Sequence, residues 1–109
     1  MQIKLEVIIM LTYAKVLEVF QDYLDEDASC EVLLSSRGYL VVDWESKCDT
    51  WVTTQICETP DCLLDVLRSC YEEYQSFLRS GMGKRDLTDV EEQEIRRLSA
   101  ELAGRCQLA

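Results

Sequence analysis

The side chains best able to do chemistry in this sequence are six cysteines: Cys30, Cys48, Cys57, Cys62, Cys70 and Cys106. A thiolate can act as a nucleophile, a metal ligand or half of a disulfide. The chain has no histidine. The usual general base, the commonest metal ligand and every Cys–His or Ser–His pair are therefore missing. Cys57 and Cys62 are separated by four residues, with Cys30 and Cys48 upstream. Four cysteines can hold zinc, but the paired C-x2-C knuckles typical of such sites are absent. No metal and no cofactor is expected. Cys62 falls in the first turn of an expected helix, where the dipole favours a reactive thiolate. Burial acts the other way, and inert packed thiols are the simpler expectation.

Carboxylates offer no better constellation. Glu72-Glu73 and Glu91-Glu92 are sequence neighbours on expected helices, so their side chains diverge around the axis. Gly81-Met82-Gly83-Lys84 resembles a phosphate loop only in outline. It has Arg85 where Ser or Thr is needed, and it follows a helix rather than a strand. No catalytic residue is expected.

Net charge is −10, from 21 acidic and 11 basic residues. Such a chain lacks the basic patch needed for nucleic-acid phosphates and is repelled by anionic membranes. The acids serve solubility, meet a basic partner, or imitate nucleic-acid phosphates. In the last case Asp22, Asp25, Glu26 and Asp27 form the expected row. No secretory signal is visible, and no apolar run approaches the ~20 residues that span a bilayer. Reduced thiols in a cytoplasmic protein follow from this.

At 109 residues the chain is one domain's worth. Its first nine residues have two readings. Ile3, Leu5, Val7 and Ile9 alternate with polar residues as in a strand. Alternatively they are a translated leader, with Met10 as the natural start. Leu5 to Met10 can be encoded TTG-GAG-GTG-ATA-ATT-ATG, which contains a purine-rich tract of the bacterial ribosome-binding type. The gene's nucleotide sequence tests that reading. Residues 10–109 then form a single α+β domain.

Tyr13 to Glu26 predicts an amphipathic helix capped by Thr12, with Tyr13, Val16, Leu17, Phe20 and Leu24 in one stripe. Cys30–Leu34, Tyr39–Trp44 and Trp51–Cys57 predict three strands of an antiparallel meander. The first hairpin has Gly38 where a positive φ is wanted. Thr59-Pro60-Asp61 opens a second helix with a cap, an N1 proline and an acid at the positive end. Its stripe is Leu63, Val66, Leu67, Cys70, Tyr74, Phe77 and Leu78, and Ser80-Gly81-Met82-Gly83 ends it as a flexible linker. Thr88-x-x-Glu91 is a capping box opening a last helix. That helix's narrow stripe of Ile95, Leu98, Leu102 and Cys106 suits peripheral packing or a homodimer contact. The expected fold is α+β in the order α-β-β-β-α-α, with helices against a three-stranded antiparallel sheet.

Both faces of the sheet carry apolar residues. With helices on one face only, Leu33, Tyr39, Val41 and Trp51 are the expected open surface, and aromatics there favour a protein partner. The element order resembles that of the double-stranded RNA-binding domain. Such domains need bases at the start of their second helix, where this chain has Asp61 and Asp65. RNA binding is not expected. The expected function is non-enzymatic: a small acidic bacterial protein, of phage or mobile-element type, acting by protein–protein binding. The alternatives are a DNA mimic that inhibits a nucleic-acid-binding enzyme, and a cysteine-based metal or redox protein.

Overall fold

The computed structural model describes residues 11–107. The leader or strand expected at 3–9 lies outside them. The chain folds as α1 (Tyr13–Val19), α2 (Gln21–Glu26), β1 (Cys30–Ser35), β2 (Gly38–Glu45), β3 (Thr50–Cys57), α3 (Pro60–Arg79) and α4 (Asp89–Cys106). This is the α+β order read from the sequence, with the first helix in two segments.

Thr12 caps α1, its side chain accepting from Lys15 N at 3.1 Å. The break between α1 and α2 falls at Phe20, whose φ of −90° and ψ of 4° leave the helical region. Backbone bonds cross the break, from Phe20 N to Val16 O and from Leu24 N to Phe20 O. The bend keeps Val16, Val19, Phe20 and Tyr23 on the buried side.

α3 opens as its sequence dictates, with the Thr59 hydroxyl accepting from Cys62 N at 3.1 Å and Pro60 in the first turn. Leu63, Leu64 and Leu67 are buried, whereas Phe77 and Leu78 in the last turn are about half exposed. The following linker is held rather than slack. Gly81, Met82 and Gly83 all take positive φ. Met82 N donates to Phe77 O at 2.8 Å, and Gly83 N donates to Ser80 Oγ at 3.0 Å. The turn sends α4 back along α3 and α1. Between α3 and α4, Ser99 is wholly buried. It accepts from Arg68 Nε at 3.1 Å and donates to Glu72 Oε2 at 2.6 Å, which satisfies its hydroxyl.

The capping box of α4 forms in both directions between Thr88 and Glu91. Arg85 also grips Glu91 with two nitrogens, at 2.8 and 2.9 Å. These bonds, Arg85's first and the Thr88 amide's second, hold the Glu91 carboxyl down at about 2. An ordinary glutamate titrates near 4.5. Glu91 therefore stabilises the fold above pH 4.5, and that contribution disappears as pH falls towards 2. In urea titrations the stability gap between wild type and Glu91→Gln should close over that interval and stay constant above it.

The sheet has the order β1-β2-β3, antiparallel throughout. A bulge interrupts the β2–β3 register: Val41 pairs with Gln55 but Val42 pairs with Thr53, leaving Thr54 as the extra residue. The main core lies between one sheet face and the helices. It joins Val16, Phe20, Leu63 and Leu67 to Cys30, Val41 and Cys57 of the strands. No helix among the described residues is long and apolar enough to cross a membrane.

Candidate functional site

β2 separates two candidate sites because its side chains alternate between them. Leu40, Val42 and Trp44 point away from the helices, and Tyr39, Val41 and Asp43 point towards them.

The outer face is built by cross-strand pairs: Leu33 with Leu40, Leu40 with Ile56, and Trp44 with Trp51. None of these residues joins the helix-side core. Leu33 is 48% exposed, Trp51 42% and Ile56 46%. The indoles of Trp44 and Trp51 meet edge to face, with centroids 5.5 Å apart and an interplanar angle of 74°. This geometry suits the ring quadrupoles and stiffens the surface. Leu33, Val42 and Trp51 line a hollow of about 340 Å³ whose one charged wall is Glu31. Glu31 makes no ion pair among the described residues.

Of the four residues expected on the open face, Leu33 and Trp51 are there. Tyr39 and Val41 are not. Val41 is wholly buried beneath the helices. The Tyr39 ring lies 4.8 Å from that of Tyr13 on α1. Their places on the outer face are taken by Leu40, Val42, Trp44 and Ile56.

The acidic row is also altered. Asp27 is buried at 7% exposure, receiving the Tyr23 hydroxyl at 2.7 Å and both the amide and hydroxyl of Ser29. It is a structural acceptor closing the turn into β1. Asp22, Asp25 and Glu26 remain exposed on α2. Asp25 accepts from Gln21 Nε2, and Glu26 accepts from the Tyr74 hydroxyl. Four acids presented together as a phosphate-like row are therefore not what the fold displays.

The inner face holds the second candidate site. Cys30 opens β1, Asp43 is its cross-strand partner on β2, and Cys70 faces them from α3. One ligand atom from each, two sulfurs and a carboxylate oxygen, lie within 4.8 Å of one another. The bulged residue Thr54 turns its hydroxyl onto Asp43 Oδ2 at 2.6 Å. The hydrogen bond with Cys70 lowers the Cys30 pKa against the opposing effect of burial. The same bond raises that of Cys70, and burial adds to it. The chain matches no protein-family model, no curated protein and no solved structure.

The cysteines are thus grouped differently from the sequence expectation. Cys57 and Cys62 pair with each other, and Gln55 Nε2 donates to Cys62 Sγ at 3.3 Å. Burial first, and the bond with Cys62 second, push the Cys57 thiol up to about 12. Cys48 is exposed on the β2–β3 turn, and Cys106, the last residue of α4, is buried. All six are free thiols. Cys70 has neither Cys30 nor Asp43 near it in the sequence. Its partners are brought to it by strand register and helix docking, which no local spacing reports.

Proposed function

We propose that this chain is a non-enzymatic binding protein of the bacterial cytoplasm whose outer sheet face docks another protein. One observation carries the reading: both tryptophans of the chain and four aliphatic residues form a continuous sheet face that no described helix covers. Tryptophan in a stiff apolar surface beside a hollow is the usual form of a binding hot spot.

Charge argues for the partner's chemistry. The chain carries −10, and Glu31, at the wall of the hollow, makes no ion pair among the described residues. The fitting occupant is a basic protein that inserts an apolar side chain beside a Lys or Arg. A second copy would bring like charge to like charge across the contact.

Site-specific photo-cross-linking in the native cell tests this. Thr53 pairs with Val42 at the centre of the face and is exposed. Thr53→p-benzoylphenylalanine should give one discrete conjugate with a different, basic protein, and Leu33→Asp should abolish it. A cross-linker at Glu18, exposed on α1, should give none. A conjugate of two copies of this chain, or the same products from both positions, would contradict the proposal.

A further inference from the structure

We propose that Cys30, Asp43 and Cys70 form a mononuclear zinc site on the inner face of the sheet, with its fourth position open to a cleft. A tetrahedral zinc ion has bonds of about 2.3 Å to thiolate and about 2.0–2.2 Å to carboxylate, which places its ligand atoms about 3.5–3.8 Å apart. The two sulfurs and the oxygen already lie within 4.8 Å of one another. A movement of about 1 Å brings them to the separation that zinc requires.

Two further features distinguish the cluster from packed thiols. The first is the support of Asp43. Thr54 donates to Oδ2 at 2.6 Å and leaves the other oxygen for a ligand bond. That support exists only because the bulge inserts Thr54 opposite the Val41–Val42 step. Hydrogen bonds of this kind orient metal-binding carboxylates. The second is the electrostatics of approach. Clefts of about 500 and 430 Å³ reach the cluster, and Asp43, Cys70 and Glu73 line both. Asp65 adds to the first cleft and Asp27 to the second, and among the described residues no Lys or Arg lines either. Such a cleft concentrates cations. Glu73 stands one helical turn beyond Cys70.

Binding converts two thiols to thiolates and releases two protons for each zinc ion taken up, with no change of oxidation state. Zinc is favoured over magnesium or calcium because two of the three ligands are sulfur.

Cobalt(II) is the probe, added to the reduced full-length chain. The expected result is one equivalent bound, with the visible bands of tetrahedral cobalt and a thiolate-to-cobalt charge-transfer band, both erased by one equivalent of zinc. Asp43→Asn keeps the shape of the side chain and should weaken cobalt binding by at least about tenfold with an unchanged far-ultraviolet circular dichroism spectrum. Cys70→Ser should remove the tetrahedral spectrum, and Cys57→Ser should leave it intact. An octahedral or absent cobalt spectrum in wild type would overturn the proposal. So would equal losses in Cys57→Ser and Cys70→Ser. A Cys30–Cys70 disulfide forming in air, with no cobalt uptake by the reduced chain, would replace the zinc site with a redox pair.

Discussion

Phe20→Ala should destabilise the fold by about 3–5 kcal/mol, a large fraction of the stability available to a domain of this size. Phe20 has no exposed surface and stands where α1 gives way to α2. Its ring touches the core that joins the first helix, the strands and α3. Alanine removes that ring from the junction of α1 and α2, one of several points where the bent helix meets the core. Val16, Val19 and Tyr23 hold the same helix in the core, so the surroundings relax only partly into the space. In urea titrations the midpoint should drop sharply with little change in slope. A loss below about 1 kcal/mol would show that the bend is not anchored by this side chain.

Gly38→Ala should be nearly as damaging, for a backbone reason. Gly38 has φ of +125°, a region that L side chains rarely enter. A Cβ there would sit 2.2 Å from the Cys57 carbonyl oxygen and 3.1 Å from Glu58 Cα. Both obstacles are main chain and cannot swing aside. The strained φ costs about 1–3 kcal/mol, and the forced separation of strands costs about as much again. Cys57 and Glu58 lead directly into the Thr59 cap of α3, so the damage should spread beyond the hairpin. Hydrogen exchange should show lost protection at the β2–β3 ends and at the first turn of α3 together. Loss confined to the β1–β2 turn would contradict this account.

The elements were legible where the signal was local. Thr59-Pro60-Asp61 and Thr88-x-x-Glu91 are complete instructions within four residues, and both form as written. Gly38 announced its positive φ by lying in a hairpin. The face of the sheet was not legible. Tyr39 and Val41 on one side of β2 are as apolar as Leu40, Val42 and Trp44 on the other, so alternation alone could not choose. The choice is made by what the helices present: Tyr13, Val16 and Phe20 accept Tyr39 and Val41. The bulge at Thr54 was equally hidden. It places Trp51 and Ile56 on the same face, although a strict period of two separates them. Asp27 does carry a local signal, because an Asp side chain in a turn accepts the amide two residues on, here Ser29 N. The meeting of Cys30, Asp43 and Cys70 spans β1, β2 and α3, and only their register and docking create it.

The tryptophan face, which no described helix covers, can be tested without knowing the partner. Acrylamide, an uncharged quencher, is not repelled by a chain of net charge −10. Both tryptophans lie on the outer face, so tryptophan fluorescence, excited at the red edge where tyrosine does not absorb, reports on that surface. For the purified monomer, red-shifted emission and a single linear quenching line are predicted. Blue-shifted emission with tryptophans closed to acrylamide would mean that the face is already occupied, and would contradict a docking surface held open for another protein.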